Sequence, residues 1–333
     1  MKDIKRWLPG ALISIVVIAA ILYFVDFGTM LESIRAADYC LLAAATVLSF
    51  VWIMVRARVW QTLLRDKAPY REVLFATGEG YLLNNFLPFR LGEIGRAFLL
   101  SRKSALQFGE IIPTIVIERV VDIAFSALVL LLALPFVAGT EGSAQVGYIA
   151  GLVVVFGLGF MYVLARNNQW ARDLFQKLST RWPALQRFGG SFLDSFFLGL
   201  GVLTDGWLFA RFLFWMTLNW AIALAAYFLM TLAFFPQAQP VWALFILGAA
   251  AFGGALPALP GGVGTFEGAV TAALTLLTGD ESTSLAVALT ARLYNYLNST
   301  VIGGIGLLRE GQTLSGVYRQ LMSLGSNEKK EIS

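Results

Sequence analysis

Histidine is absent from this 333-residue sequence, and cysteine occurs once, at Cys40. The two absences exclude Cys/His zinc sites, Ser-His-Asp triads, haem ligation by histidine and any disulfide within the chain. Charge is scarce too. Asp, Glu, Lys and Arg make up 14% of the residues, against about 25% in a soluble domain. Hydrophobic residues reach 58%, and long apolar runs recur from end to end. One soluble core cannot absorb them, so the bilayer is the expected solvent for the outer surface. The net charge of +4 does not point to nucleic acid, because Lys and Arg are dispersed among loops, where they carry topology. Cys40 opens an apolar run and reads as a small lipid- or core-facing residue.

A spanning helix needs about 20 apolar residues. Runs that qualify lie at 8–25, 39–55, 112–136, 146–165, 210–235 and 284–308. Lys2, Lys5 and Arg6 precede the first run, which is long for a signal core and has no small-x-small cleavage site after it, so it reads as a first transmembrane helix. Two further stretches are apolar but broken. In 73–100 the interruption is Asn84-Asn85 and then Pro88 through Arg96; in 241–278 it is Pro257 through Gly264.

Reading the broken stretches as re-entrant hairpins makes the loop charges consistent. One set of loops holds Lys2, Lys5, Arg6, Arg56, Arg58, Arg65, Lys67, Arg71, Arg96, Arg102, Lys103, the five basic residues of 166–187, and Arg309, Arg319, Lys329 and Lys330. The opposite set holds Arg35 and otherwise Asp26, Glu32, Asp38, Glu141, Asp280 and Glu281. The positive-inside rule then places both termini in the cytoplasm, across the cell (inner) membrane, with six full spans. Phe192, Leu193, Phe196, Phe197 and Leu200 fit a helix lying in the interface over 188–206. Residues 1–310 form the transmembrane domain, and 311–333 read as a solvated cytoplasmic tail. Trp7, Trp52, Trp60, Trp170, Trp182, Trp207 and Trp242 fall near expected span ends, as interfacial anchors do.

The halves 8–136 and 146–308 repeat a pattern. Leu87-Pro88-x-x-x-Gly92 matches Leu259-Pro260-x-x-x-Gly264, and a carboxylate follows each, Glu93 and Glu267. Each break is followed by a helix with an early Arg and a polar residue three positions on: Arg119 with Asp122, and Arg292 with Asn295. Three crossings per half give opposite orientations. The expected fold is therefore an all-α polytopic integral membrane bundle with an inverted-topology repeat.

Charges at membrane depth are costly, about 2.5–3.5 kcal/mol each on insertion scales, so their clusters carry information. The first cluster is Glu79, Asn84, Asn85, Arg90, Glu93 and Arg96, around a helix break whose freed backbone groups need partners. It also fits an ordinary solvated turn. Glu118, Arg119 and Asp122 form the second; Glu118 and Asp122 share a face, and Arg119 can reach Asp122. A structural ion-pair network would look the same. The third is Gly261, Gly262, Gly264 and Glu267 beside Pro257 and Pro260, where successive amides and a helix N-terminus could face an anion. A tight turn permitting close helix approach is the plainer account. No Gly-Lys-Ser/Thr follows, so this is no nucleotide loop, and no cofactor is expected. Arg292, Asn295, Asn298 and Ser299 form the fourth, with Arg292 free to hold Glu267, Glu118 or a phosphate.

The motifs Asn84-x-Phe86-Leu87-Pro88-x-Arg90-x-Gly92-Glu93-x-x-Arg96, Glu118-Arg119-x-x-Asp122 and Pro257-x-x-Pro260-Gly261-Gly262-x-Gly264-x-x-Glu267, in that order, resemble the lysylphosphatidylglycerol synthetase transmembrane-region family. This is the flippase-like domain at the front of the multiple peptide resistance factor, and it also occurs as stand-alone members. The resemblance covers about residues 5–315. It implies a lipid-translocating module, with an aminoacylated phospholipid as the cargo in fused members. There a separate cytosolic synthetase domain makes the lipid; this sequence ends about 25 residues past its last span, so it is not expected to make lysyl-lipid itself.

The expected activity is movement of a lipid with an anionic or aminoacylated head group between leaflets, without enzymatic chemistry. Arg90, Arg119 and Arg292 would contact phosphate. Three readings stay open beside it. They are a proton-coupled carrier of a small solute, a head-group transferase using Glu118 and Asp122, and a membrane partner of a separately encoded lipid-modifying enzyme.

Overall fold

The computed structural model describes residues 18, 19, 23, 25–87, 91–138, 152, 205–255 and 260–320. Among these residues the chain is all-helical, without strands. The expected spans 8–25 (but for its isolated described positions) and 146–165 (but for residue 152), and the interfacial helix at 188–206 up to residue 204, lie outside the described residues, as do Pro88, Arg90 and Pro257.

In chain order the helices are α1 (Phe27–Ala36), α2 (Tyr39–Leu63), α3 (Tyr70–Phe86), α4 (Leu91–Lys103), α5 (Phe108–Ala138), α6 (Gly206–Phe234) and α7 (Pro240–Ala255). A 3₁₀ turn (Pro260–Gly262), α8 (Thr265–Thr278) and α9 (Glu281–Arg309) follow. Carboxylates set several of the starts. Asp38 accepts from the Cys40 and Leu41 amides, Asp205 from those of Trp207 and Leu208, and Asp280 from that of Thr283. Asp205 and Asp280 start α6 and α9 a few residues before the apolar windows that suggested them.

α2, α5 and α6 are long and apolar enough to cross a membrane. α9 has 29 residues and continues through Arg292 without a break. α3, α4, α7 and α8 have 17, 13, 16 and 14 residues. At 1.5 Å per residue they reach about 20–26 Å, short of a hydrocarbon core of about 30 Å. They pair instead: α3 folds against α4, and α7 against α8. Both broken stretches are thus helix–break–helix hairpins.

Between apolar helices in lipid, packing relies on small residues that let backbones approach. A Cβ on Gly253 of α7 would lie 2.5 Å from that of Ala269 on α8. α9 crosses α3 where a Cβ on Gly303 would lie 2.5 Å from the Gly78 carbonyl oxygen. The hairpin breaks also meet: a Cβ on Gly261 would sit 3.5 Å from Asn85 Cα, and Asn85 Nδ2 donates to Ser299 Oγ of α9 at 2.9 Å.

Three sequence-based expectations are corrected. Arg56, placed with the cytoplasmic loop charges, is buried inside α2, because carboxylates of α5 neutralise it. Trp60 and Trp52, read as interfacial anchors, face inward. Trp60 is fully buried and donates to Thr114 Oγ1 at 3.0 Å, while Trp52 lines a cavity. Finally, the start of the expected solvated tail is folded: 314–320 is helical, and Val317 is buried among Leu82, Leu83, Leu99 and Leu307.

Candidate functional site

At the centre, α2, α4 and α5 bring three guanidinium groups onto three carboxylates. Arg56 Nη2 lies 2.6 Å from Glu118 Oε1, and Arg56 Nη1 donates to Asp122 Oδ1 at 2.7 Å; Nη2 also contacts Asp122 Oδ2. Arg96 Nη2 pairs with Glu93 Oε2 at 2.8 Å and with Glu118 Oε1 at 3.0 Å. Arg119 Nη2 pairs with Glu93 Oε1 at 2.7 Å, and Nη1 with Asp122 Oδ2 at 3.2 Å. The formal charges cancel. An isolated buried charge would be prohibitive, whereas a set of matched charges is not; the Nε–H groups of Arg56, Arg96 and Arg119 stay without hydrogen-bond partners inside it. Arg96 lies over the Trp60 ring at 4.5 Å, which fixes its plane against the carboxylates.

Sequence spacing anticipated part of this. Glu118 and Asp122 share the face that holds Arg56, and Arg119 reaches Asp122 as expected. Asn84 braces the first break: its Oδ1 accepts from the Gly92 amide at 2.8 Å, and its Nδ2 lies 3.4 Å from Glu93 Oε1. Arg56 itself was missed. Asn219 of α6 was missed too; its Oδ1 faces Arg56 at 3.5 Å, and its Nδ2 donates to the Trp52 carbonyl at 2.9 Å. A lone Asn within the apolar 210–235 run was the available signal.

The second break closes on itself. Gly261, Gly262 and Gly264 have φ of 72°, 66° and 90°, which glycine adopts without steric cost. The carbonyls of Gly261 and Gly262 turn toward α9: Arg292 Nη2 donates to Gly262 O at 3.0 Å, and Nη1 to Gly261 O. Arg292 Nε and Nη2 also donate to Glu267 Oε1 and Oε2 at 2.6 and 2.9 Å. The Gly264 amide donates to Glu267 Oε2 at 2.8 Å. The anion at the N-terminus of α8 is therefore the chain's own Glu267, whose carboxylate reaches back to the N-cap amide of Gly264. Of the two carboxylates considered for Arg292, Glu267 is the one it pairs with. Phe266 lies 4.5 Å from the Arg292 guanidinium.

Beside these groups is a cavity of about 640 Å³. Arg56, Glu93, Arg119, Asp122, Asn219, Asn295 and Asn298 give it a polar side, and Ile123, Tyr227, Met230, Leu247, Phe252 and Phe266 an apolar one. Ile123 and Phe252 are 59% and 41% exposed. Of the residues singled out from sequence, the cavity brings together Glu93, Arg119, Asp122 and Asn295. Arg96 and Glu118 stand behind them in the network, Asn84 and Asn85 at the first break, and Gly261, Gly262, Gly264, Glu267 and Arg292 in the adjoining closed unit. Among the described residues no group of three or more His, Cys, Asp or Glu is arranged to hold a metal ion.

Apolar helices around a neutralised ionic core and an amphipathic cavity define a helical membrane protein. More particularly, the chain belongs to the family described as lysylphosphatidylglycerol synthase TM region, whose model matches residues 8–303. That membership associates it with lysylphosphatidylglycerol-related lipid handling at a membrane. Comparison with curated proteins gives no match, and neither does comparison with solved structures.

Proposed function

We propose that this protein is a flippase-like translocase that moves a lipid with an anionic or aminoacylated head group between the leaflets of the cell (inner) membrane. The observation that carries the reading is the two-sided cavity. Its ionic residues suit a head group, and its apolar wall suits the first part of the acyl chains. A translocase must meet both needs at once, because leaving a polar head group in hydrocarbon costs several kcal/mol per unsatisfied group.

In this account Arg119 contacts the lipid phosphate through its fork of donors. Glu93 and Asp122 hold Arg119 when no lipid is bound and face any ammonium of the head group. Arg56, Arg96 and Glu118 anchor those three from behind. Six full spans, two hairpins re-entrant from opposite sides and an inverted repeat complete the architecture, with both termini cytoplasmic. The hairpins, whose breaks meet at Asn85 and Gly261, act as alternating gates. The protein performs no bond chemistry; a separately encoded lipid-modifying enzyme supplies its cargo.

The test is a leaflet assay with chain-labelled lipid in proteoliposomes. Wild type should exceed the protein-free rate. Ala251→Trp, which fills the cavity from α7, and Arg119→Gln should each lower that rate at least tenfold while remaining folded. Wild-type rates in both folded variants would refute the proposal.

A further inference from the structure

We infer that the head group recognised here carries one phosphate and one ammonium and is close to neutral overall; this rests on the translocase reading and replaces its net-anionic cargo with a zwitterionic one. The first ground is charge balance. Arg56, Arg96 and Arg119 are matched by Glu93, Glu118 and Asp122. The cavity thus has no surplus cation with which to draw in a net anion, and no surplus anion for a net cation.

The second ground is which members of the network can be reached. Arg56, Arg96 and Glu118 have side chains 2%, 2% and 0% exposed, and the last two do not line the cavity. Arg119, Asp122 and Glu93 do line it and are 27%, 17% and 16% exposed. A phosphate entering this site meets one reachable guanidinium, already held by two reachable carboxylates. Glu93 keeps Arg96 and Asp122 keeps Arg56 as second partners, so a phosphate pairing with Arg119 adds a negative charge to a set whose charges already cancel. In a low-dielectric interior that surplus charge needs a partner. An ammonium on the same head group, facing Glu93 or Asp122, supplies it, with no net charge carried in. A phosphate alone leaves one surplus anion, and a head group with two ammoniums brings one cation too many.

The third ground is the wall. Trp52 and Tyr81, with ring centroids 5.6 Å apart, line the cavity with Trp220. Aromatic faces stabilise an ammonium and do nothing comparable for a phosphate.

The experiment compares chain-matched labelled lipids in proteoliposomes of wild-type protein, so it needs no variant that risks misfolding. The head groups are phosphoethanolamine, its N-acetylated form, phosphoglycerol and lysyl-phosphoglycerol. Thermal shifts in detergent with glycerophosphoethanolamine and glycerophosphoglycerol form a second arm. The phosphoethanolamine lipid should move at least tenfold faster than the N-acetylated and phosphoglycerol lipids, and faster than the lysyl lipid. Equal rates for all four would overturn the inference and leave the translocase reading standing. No movement of any lipid, with selective stabilisation by glycerophosphoethanolamine, would keep the recognition and overturn translocation in favour of a soluble ligand. No movement and no selectivity would overturn both.

Discussion

Arg56 of α2 and Glu118 of α5 lie 62 positions apart in sequence, yet Arg56 Nη2 stands 2.6 Å from Glu118 Oε1 in the interior. The pair ties together two helices long and apolar enough to cross a membrane. Asp122 and Arg96 extend it toward the cavity and toward the first hairpin.

Arg56→Met should be among the most destabilising single substitutions in the chain. It leaves Asp122 with Arg119 alone and Glu118 with fewer cations, so the network carries a surplus carboxylate, and breaking a buried pair from one side costs about 3–5 kcal/mol. Thermal unfolding in detergent measures this. Arg56→Met combined with Asp122→Leu should recover part of the loss, because the double replacement removes one carboxylate along with one guanidinium and restores the charge balance.

Arg292→Lys tests the closed unit at the second break. A lysine ammonium cannot serve both Glu267 oxygens and the two glycine carbonyls together. Each lost hydrogen bond to a charged group is worth about 1.5–3 kcal/mol. A clear fall in melting temperature is expected, and Glu267→Gln should weaken the same turn less, since a glutamine oxygen still accepts from the Gly264 amide.

Adjacent glycines of α9 should behave oppositely. A Cβ at Gly303 would lie 2.5 Å from Gly78 O, whereas one at Gly304 meets nothing within 4 Å. Gly303→Ala should part α9 from α3 and lower folded yield sharply. Gly304→Ala should be tolerated, and its better helix propensity can add up to about 1 kcal/mol. Yield by size exclusion and melting temperature separate the two outcomes.

Much of this was legible in the sequence, and the illegible part has a physical reason. Apolar runs located α2, α5, α6 and α9, and Pro and Gly located both hairpins, because these signals are local. Helical spacing put Glu118 and Asp122 on one face. It could not show that Arg56 was their partner, since a positive charge near the end of an apolar run reads equally well as a loop residue; only the tertiary pairing of α2 with α5 distinguishes them. The same limit applies to Trp60, whose inward orientation depends on Arg96 and Thr114 arriving from α4 and α5. At the second break the sequence supplied the glycines but not the direction of their peptide groups. Their carbonyls, turned to Arg292, make it a locked structural turn.

Translocation by this route requires a lipid to occupy the central cavity with its chains along the apolar wall. Photo-crosslinking measures this directly, using a phosphoethanolamine lipid with a photoreactive group near the head end of one chain, followed by peptide mapping of the labelled protein. Adducts on Tyr227, Met230, Leu247 and Phe252, suppressed by Ala251→Trp, are the predicted result. Adducts confined to outward-facing residues such as Leu276 and Leu308, unchanged by that substitution, would contradict it.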